Sequence, residues 1–217
     1  MASVADICNA ALAHIGARAQ ISSIDPPDGT AEAGYCARFY PIARAELLAS
    51  HMWSFNKVRA LLAEVDNPST VWSYAYAVPS DCFNATRILQ KSDALRIYQR
   101  PWDTPLTADS LHLYSERGSS EFILESGILF THEPEAVLIY GRDITDTAKF
   151  SPAFVVALSY LLASYLAGPI IKGMEGAQLA GTMRQIATKM KESAASGDAS
   201  NAAEAAEYIP ESILRRA

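Results

Sequence analysis

The chain has 217 residues, half of them hydrophobic and 19% charged, with a formal net charge of −6. Such a composition folds, and the length suits one domain, or one domain with a subdomain, large enough to bury a core. An acidic balance argues against a dedicated nucleic-acid binder, and the charged fraction lies below the ~25% usual for globular domains. Part of the surface is therefore expected not to face water.

The first predicted element is a helix over residues 3–15. Ser3 and Asp6 form a capping-box-like start, Ile7, Ala11 and Ile15 recur at helical spacing, and Gly16 suits the stop. Residues 21–29 read as a loop whose turn is Asp25-Pro26-Pro27-Asp28-Gly29. Thr30 can cap a second helix running to about His51, with Tyr35, Phe39, Ile42, Leu47 and Leu48 along it. Pro41 is expected to bend that helix or split it in two.

From Trp72 to Gly141 the texture changes to short runs rich in β-branched and aromatic residues: 85–89, 94–98, 110–114, 121–124, 128–131 and 136–140. Arg117-Gly118-Ser119-Ser120 and Glu125-Ser126-Gly127 are hairpin-type breaks between them. Residues 150–171 carry no charge, and Lys149 and Lys172 flank them. That length approaches a membrane span, which takes roughly 20 apolar residues. Three serines, Pro152 and Gly168-Pro169 argue otherwise: they leave a helix ending near Ala167, buried in a bundle. A last helix runs from about Lys172 or Glu175 to Ala195, with Leu179, Met183, Ile186 and Met190 as its apolar stripe and Gly197 as its end.

The expected fold is α+β: a helical bundle of about four main helices from both ends of the chain with an inserted small antiparallel β region. Residues 1–70 hold the N-terminal helices, 71–142 the β region, 143–197 the C-terminal helices and 198–217 a C-terminal extension.

Little in the chain reads as catalytic. Cys8, Cys36 and Cys82 are odd in number and widely spaced, so buried reduced thiols are expected rather than a disulfide framework or a zinc site. Asp6 precedes any apolar run, and no signal peptide is expected. His14, His51, His112 and His132 are scattered, and Gly168, Gly173, Gly176 and Gly181 lack the Lys-Ser/Thr that completes a phosphate loop. Glu116, Glu121, Glu125, Glu133 and Glu135 are candidates for a glycosidase carboxylate pair, but turns and strand edges account for them. Asp143 and Asp146 resemble metal ligands, and a turn with Asp146 or Ser151 capping the next helix explains them without a metal. No Gly-x-Ser-x-Gly is present. We expect no catalytic residue, no cofactor and no metal.

Two features suit assembly better. Trp53, Phe55, Trp72, Tyr74 and Tyr76 cluster where helices give way to strands, and core packing is the expected reason. After Gly197 an Ala-rich spacer leads to Tyr208, Ile209, Ile213, Leu214, Arg215 and Arg216. A segment that orders on a partner and a frayed terminus fit this pattern equally, and those six residues are the candidate partner-binding set.

Several segments resemble one family. Asn9-Ala10-Ala11-Leu12-Ala13-His14-Ile15-Gly16, followed by Ile21-Ser22-Ser23-Ile24-Asp25, resembles the opening of the tail tubular protein A family, head-to-tail adaptors of short-tailed phages. His51-Met52-Trp53-Ser54-Phe55-Asn56 is similar to its Trp-x-Phe-Asn segment. Residues 72–81, Trp-Ser-Tyr-Ala-Tyr-Ala-Val-Pro-Ser-Asp, are similar to its approach to the β region. Tyr140-Gly141-Arg142-Asp143-Ile144-Thr145-Asp146 with residues 150–158 resembles its return to helices. The matches run in order over about residues 7–170; nothing after Gly197 matches.

The resemblance implies a virion protein made in the host cytoplasm, in a ring of twelve identical subunits. One rim meets the portal protein and the other receives the tail nozzle protein. Double-stranded DNA passes through the lumen without sequence-specific binding, and nothing inserts in a membrane. Such a ring closes the head after packaging and forms part of the ejection channel. Two other classes remain open: a cell-wall or polysaccharide hydrolase, shown by turnover lost with one carboxylate, and an oligomeric scaffold unrelated to phage.

Overall fold

The structure, a computed structural model, describes residues 2–18, 20–90 and 120–202. Helix α1 (Val4–His14) starts where the sequence places it: the Ser3 hydroxyl accepts the Asp6 N–H, and the Asp6 carboxylate accepts the Ser3 N–H at 2.8 Å. The two side chains thereby satisfy donors that helix geometry leaves unpaired. Past the helix end, the Asn9 amide holds both main-chain groups of Ile21, at 2.8 and 2.9 Å. Thr30 caps α2 (Ala31–Ala49) by accepting the Ala33 N–H at 3.1 Å. Of the two effects expected of Pro41, a bend or a split, the split does not occur: α2 is one helix through Pro41. Pro41 lies on its exposed face, where the carbonyl deprived of a donor can be hydrated.

The β part begins earlier than expected, at β1 (Lys57–Leu61), and continues with β2 (Tyr74–Ala77), β3 (Cys82–Gln90), β4 (Phe122–Glu125), β5 (Ile128–Thr131) and β6 (Ala136–Arg142). These strands form two antiparallel three-stranded sheets, ordered β1-β6-β3 and β2-β5-β4. Lys57 pairs with Gly141 and Leu61 with Val137 in the first; Tyr74 pairs with Thr131 in the second. Between β4 and β5 only Ser126 and Gly127 intervene, both at positive φ (52° and 81°), the geometry of a tight hairpin turn. Ile88, Leu138 and Tyr140 of the first sheet share a core with Tyr76 and Leu129 of the second. Of the strand runs expected from the sequence, 94–98 and 110–114 lie outside the described residues.

After a 3-10 turn (Thr147–Lys149), α3 (Pro152–Ile171) is capped by the Ser151 hydroxyl, with Pro152 in the first turn, where its missing N–H costs nothing. It passes the expected stop at Ala167 and ends at Lys172, whose N–H returns to the Gly168 carbonyl at 3.0 Å. Helix α4 (Gly173–Ala202) follows directly and packs antiparallel on α3. A side-chain carbon at Gly176 would sit 3.0 Å from the Ala167 carbonyl oxygen, so a larger residue there would have to push the two helices slightly apart. Between Phe154 and Ala167 only Val156 is exposed. Half of this long apolar helix is buried against the rest of the protein.

The expected architecture needs correction. The β region is no small insertion: it comprises two sheets, and strand accounts for 21% of the described residues against 48% helix. Nor do four helices from both chain ends make one bundle. Helices α1, α2 and α4 each pack on α3, and the α3–α4 pair dominates. The physical reason is the composition of α3. Apolar on nearly every side, it needs cover all round, whereas its partners each carry a single apolar face.

Candidate functional site

Polar ties fasten the helices to the sheets. On α2, the Arg44 guanidinium bonds the Asp143 carboxylate just past β6, at 3.1 and 3.2 Å. Asp81 accepts the Tyr140 hydroxyl at 3.0 Å and faces Arg142 at 3.5 Å, while its carbonyl accepts the Asp143 N–H. Near the far end of α4, the buried Asp198 carboxylate accepts the Ser54 N–H at 2.7 Å and the Ser54 hydroxyl at 2.6 Å. His51 lies 3.9 Å from the same carboxylate.

A crevice of about 140 Å³ lies where α2, α3 and α4 meet, lined by Glu46, Ser50, Leu161, Arg184, Thr188 and Lys191. Glu46 accepts both the Arg184 guanidinium and, at 2.6 Å, the Tyr165 hydroxyl. Arg184 also lies over the Tyr165 ring, 5.6 Å from its centre. Ligand pockets usually enclose about 300–1,000 Å³. The crevice suits a few waters, not a nucleotide or sugar, and its Glu46–Arg184 pair reads as a brace between α2 and α4.

The sequence candidates fall in several places. Trp53 is fully buried and meets Phe154 edge-on at 5.0 Å, while Phe55 packs on Phe150 and Phe154. Tyr76 belongs to the sheet core, and Trp72 lies against His132 at 4.7 Å. Trp53 and Phe55 therefore belong to the helical core, Tyr74 and Tyr76 to the sheet core, and Trp72 lies in neither, so their nearness in the chain is not one surface. His14 stacks on Tyr160 at 3.8 Å and bonds the Ser159 hydroxyl at 3.1 Å; burial holds its pKa below the usual histidine value. Asp146 caps the 3-10 turn by accepting the Ala148 N–H. Ser120 donates to the Glu133 carboxylate at 2.6 Å, and Glu121, Glu125 and Glu135 are exposed. None of these carboxylates lines the crevice.

Among the described residues, no three His, Cys, Asp or Glu side chains gather into a metal-binding group. Cys8 and Cys36 are buried, Cys82 is half-buried, and all three are free thiols. Glu116 and His112, and the six candidate partner-binding residues Tyr208, Ile209, Ile213, Leu214, Arg215 and Arg216, lie outside the described residues.

The fold leaves several large apolar side chains uncovered. Ile42, Val156 and Met174 (76% exposed) are open on the helices, and Leu61, Val71 (73% exposed) and Leu124 on the sheet side. Single exposed apolar residues are ordinary, but these stand on both halves of the molecule. Sequence reasoning missed Ser54 and Asp198. The one available signal was an acid placed near a helix C-terminus, where the helix dipole disfavours it. No protein-family model matches the chain, and no curated protein shows significant similarity to it.

Proposed function

We propose that the protein is a structural adaptor of a phage head–tail junction: a ring of identical subunits between the portal and the tail nozzle, open to duplex DNA. The observation that carries this reading is the set of segments, in order from Asn9 to Leu158, that resembles the tail tubular protein A family. Apolar side chains left open on both halves support it, because a ring member covers two different faces with its neighbours. The −6 charge suits a conduit, since tight phosphate binding would retard sliding DNA. In this reading the protein catalyses nothing, holds no cofactor, does not enter a membrane, and resides in the virion.

The test is the mass of the purified protein in solution, alone and with a twelvefold portal from a short-tailed phage of the same host. A complex holding twelve copies per portal ring is expected. A chain that stays monomeric and unbound at micromolar portal overturns the reading.

A further inference from the structure

Charge in the two sheets is sorted by sign. Strands β1, β3 and β6 carry Lys57, Arg59, Arg87 and Arg142 and no acid. Residues 62–80 and 120–135, which hold the other sheet and its turns, carry Glu64, Asp66, Glu121, Glu125, Glu133 and Glu135 and neither lysine nor arginine. Those six negative charges equal the net charge of the whole chain, −6, so the rest of the molecule is neutral in sum.

The sorting extends to the side of each strand that the charge occupies. In the first sheet Ile88, Leu138 and Tyr140 belong to the shared core. Lys57, Arg59 and Leu61 alternate with Val58 and Ala60, which pack on that core, and all three are exposed. Arg87 joins this outer row, because it and Arg59 both pair with Ile139. In the second sheet Phe122 packs on the core, while Glu121, Ile123 and Glu125 alternate with it and are exposed. Sheets that share a core turn their other faces away from each other. One side of the β part thus carries a basic row with a leucine, and the other an acidic row with an isoleucine.

Charge on an edge strand can serve simply to keep it from pairing. Either sign does that, and so does a mixture. A single sign on each sheet, opposite between the two, does more: acidic rows repel each other, basic rows repel each other, and only unlike rows attract. Among the described residues β1 pairs with β6 alone and β4 with β5 alone, so both rows lie on outermost strands.

We propose that the row Glu121–Ile123–Glu125 of one copy docks on the row Lys57–Arg59–Leu61 of a second copy, head to tail. Acids meet bases, and Ile123 and Leu61 remove each other's apolar surface from water. A head-to-tail contact uses two different patches, so it repeats from copy to copy and closes into a ring where the rotation allows. The choice of a second copy as partner rests on the ring reading; the charge sorting does not.

The test is sedimentation velocity of the full-length protein at low salt, where surface charge is least screened. The parent chain should self-associate at its highest soluble concentration, and added salt should reverse this. Lys57→Glu with Arg59→Glu, and separately Glu121→Lys with Glu125→Lys, should each weaken association about tenfold or more. Mixing the two variants brings unlike rows together again and should restore association, which damage to the fold cannot do. If the double variant in β1 fails to fold, Lys57→Glu alone takes its place. A parent that stays monomeric, variants that associate like the parent, or folded variants whose mixture stays dissociated overturns the contact. Twelve copies seated on the portal with unchanged affinity in both variants remove this contact and leave the adaptor reading standing. Rescue by mixing without any portal binding does the reverse.

Discussion

Asp28 shows how one exposed side chain orders a loop. Its carboxylate accepts the Ser22 N–H at 2.8 Å and the Thr30 N–H and hydroxyl at 3.1 and 2.7 Å. These donors favour the charged form and lower its pKa to about 2 from the ordinary 3.8. A folded value below the unfolded one means stabilisation that is complete above pH 3.8 and lost as pH falls through about 2. Asp28→Asn, which resembles the protonated acid, should melt lower than the parent at neutral pH. The gap should close as pH falls across that window, as melting curves at stepped pH would show. The same residue belongs to the turn the sequence marked, Asp25-Pro26-Pro27-Asp28-Gly29, so this local order was legible. Its partners lie within six residues, and short-range hydrogen bonding is what sequence spacing reports well.

Elements whose ends depend on neighbouring residues were legible in the same way. Ser3, Thr30 and Ser151 cap three helices, and Ser126-Gly127 closes a hairpin. Elements that depend on distant partners were not. Strand β1 is five residues of which three, Lys57, Arg59 and Leu61, are exposed, and it exists by pairing with β6 about eighty residues on. Helix α3 overruns Gly168-Pro169 because the last turn is fastened to α4 through a tight reversal. That reversal has a cost. Lys172 adopts φ 61°, ψ 170°, a region natural to glycine. Lys172→Gly should therefore raise stability by about 1 kcal/mol, seen as a higher melting temperature with unchanged helix content.

At the scale of the molecule, α3 is the hub and the sheets are a second body with their own core, joined to it by the chain links at 50–56 and 143–151. Arg44–Asp143, Ser54–Asp198 and Glu46–Arg184 brace the assembly. Because Asp198 is part of that bracing, a cut after Gly197 would remove a structural contact along with the extension. A cut after Ala202 separates the two. Deleting 203–217 should leave the melting temperature unchanged and weaken portal binding about tenfold or more, as loss of a few anchor residues does. Unchanged portal affinity in a titration would remove Tyr208, Ile209, Ile213, Leu214, Arg215 and Arg216 from the partner-binding role.

By itself the sequence determined the local grammar: helix caps, the hairpin turn, the loop at Asp28 and the need to cover an uncharged helix. Each of these rests on residues a few positions apart, whose hydrogen bonds and apolar spacing are fixed by chain geometry. Only the tertiary structure decided that β1 is a strand, that the β part is two sheets, and that α4 continues past Gly197. Those outcomes turn on partners 46 to 144 residues away, and a local preference worth ~1 kcal/mol yields to a buried pairing worth more.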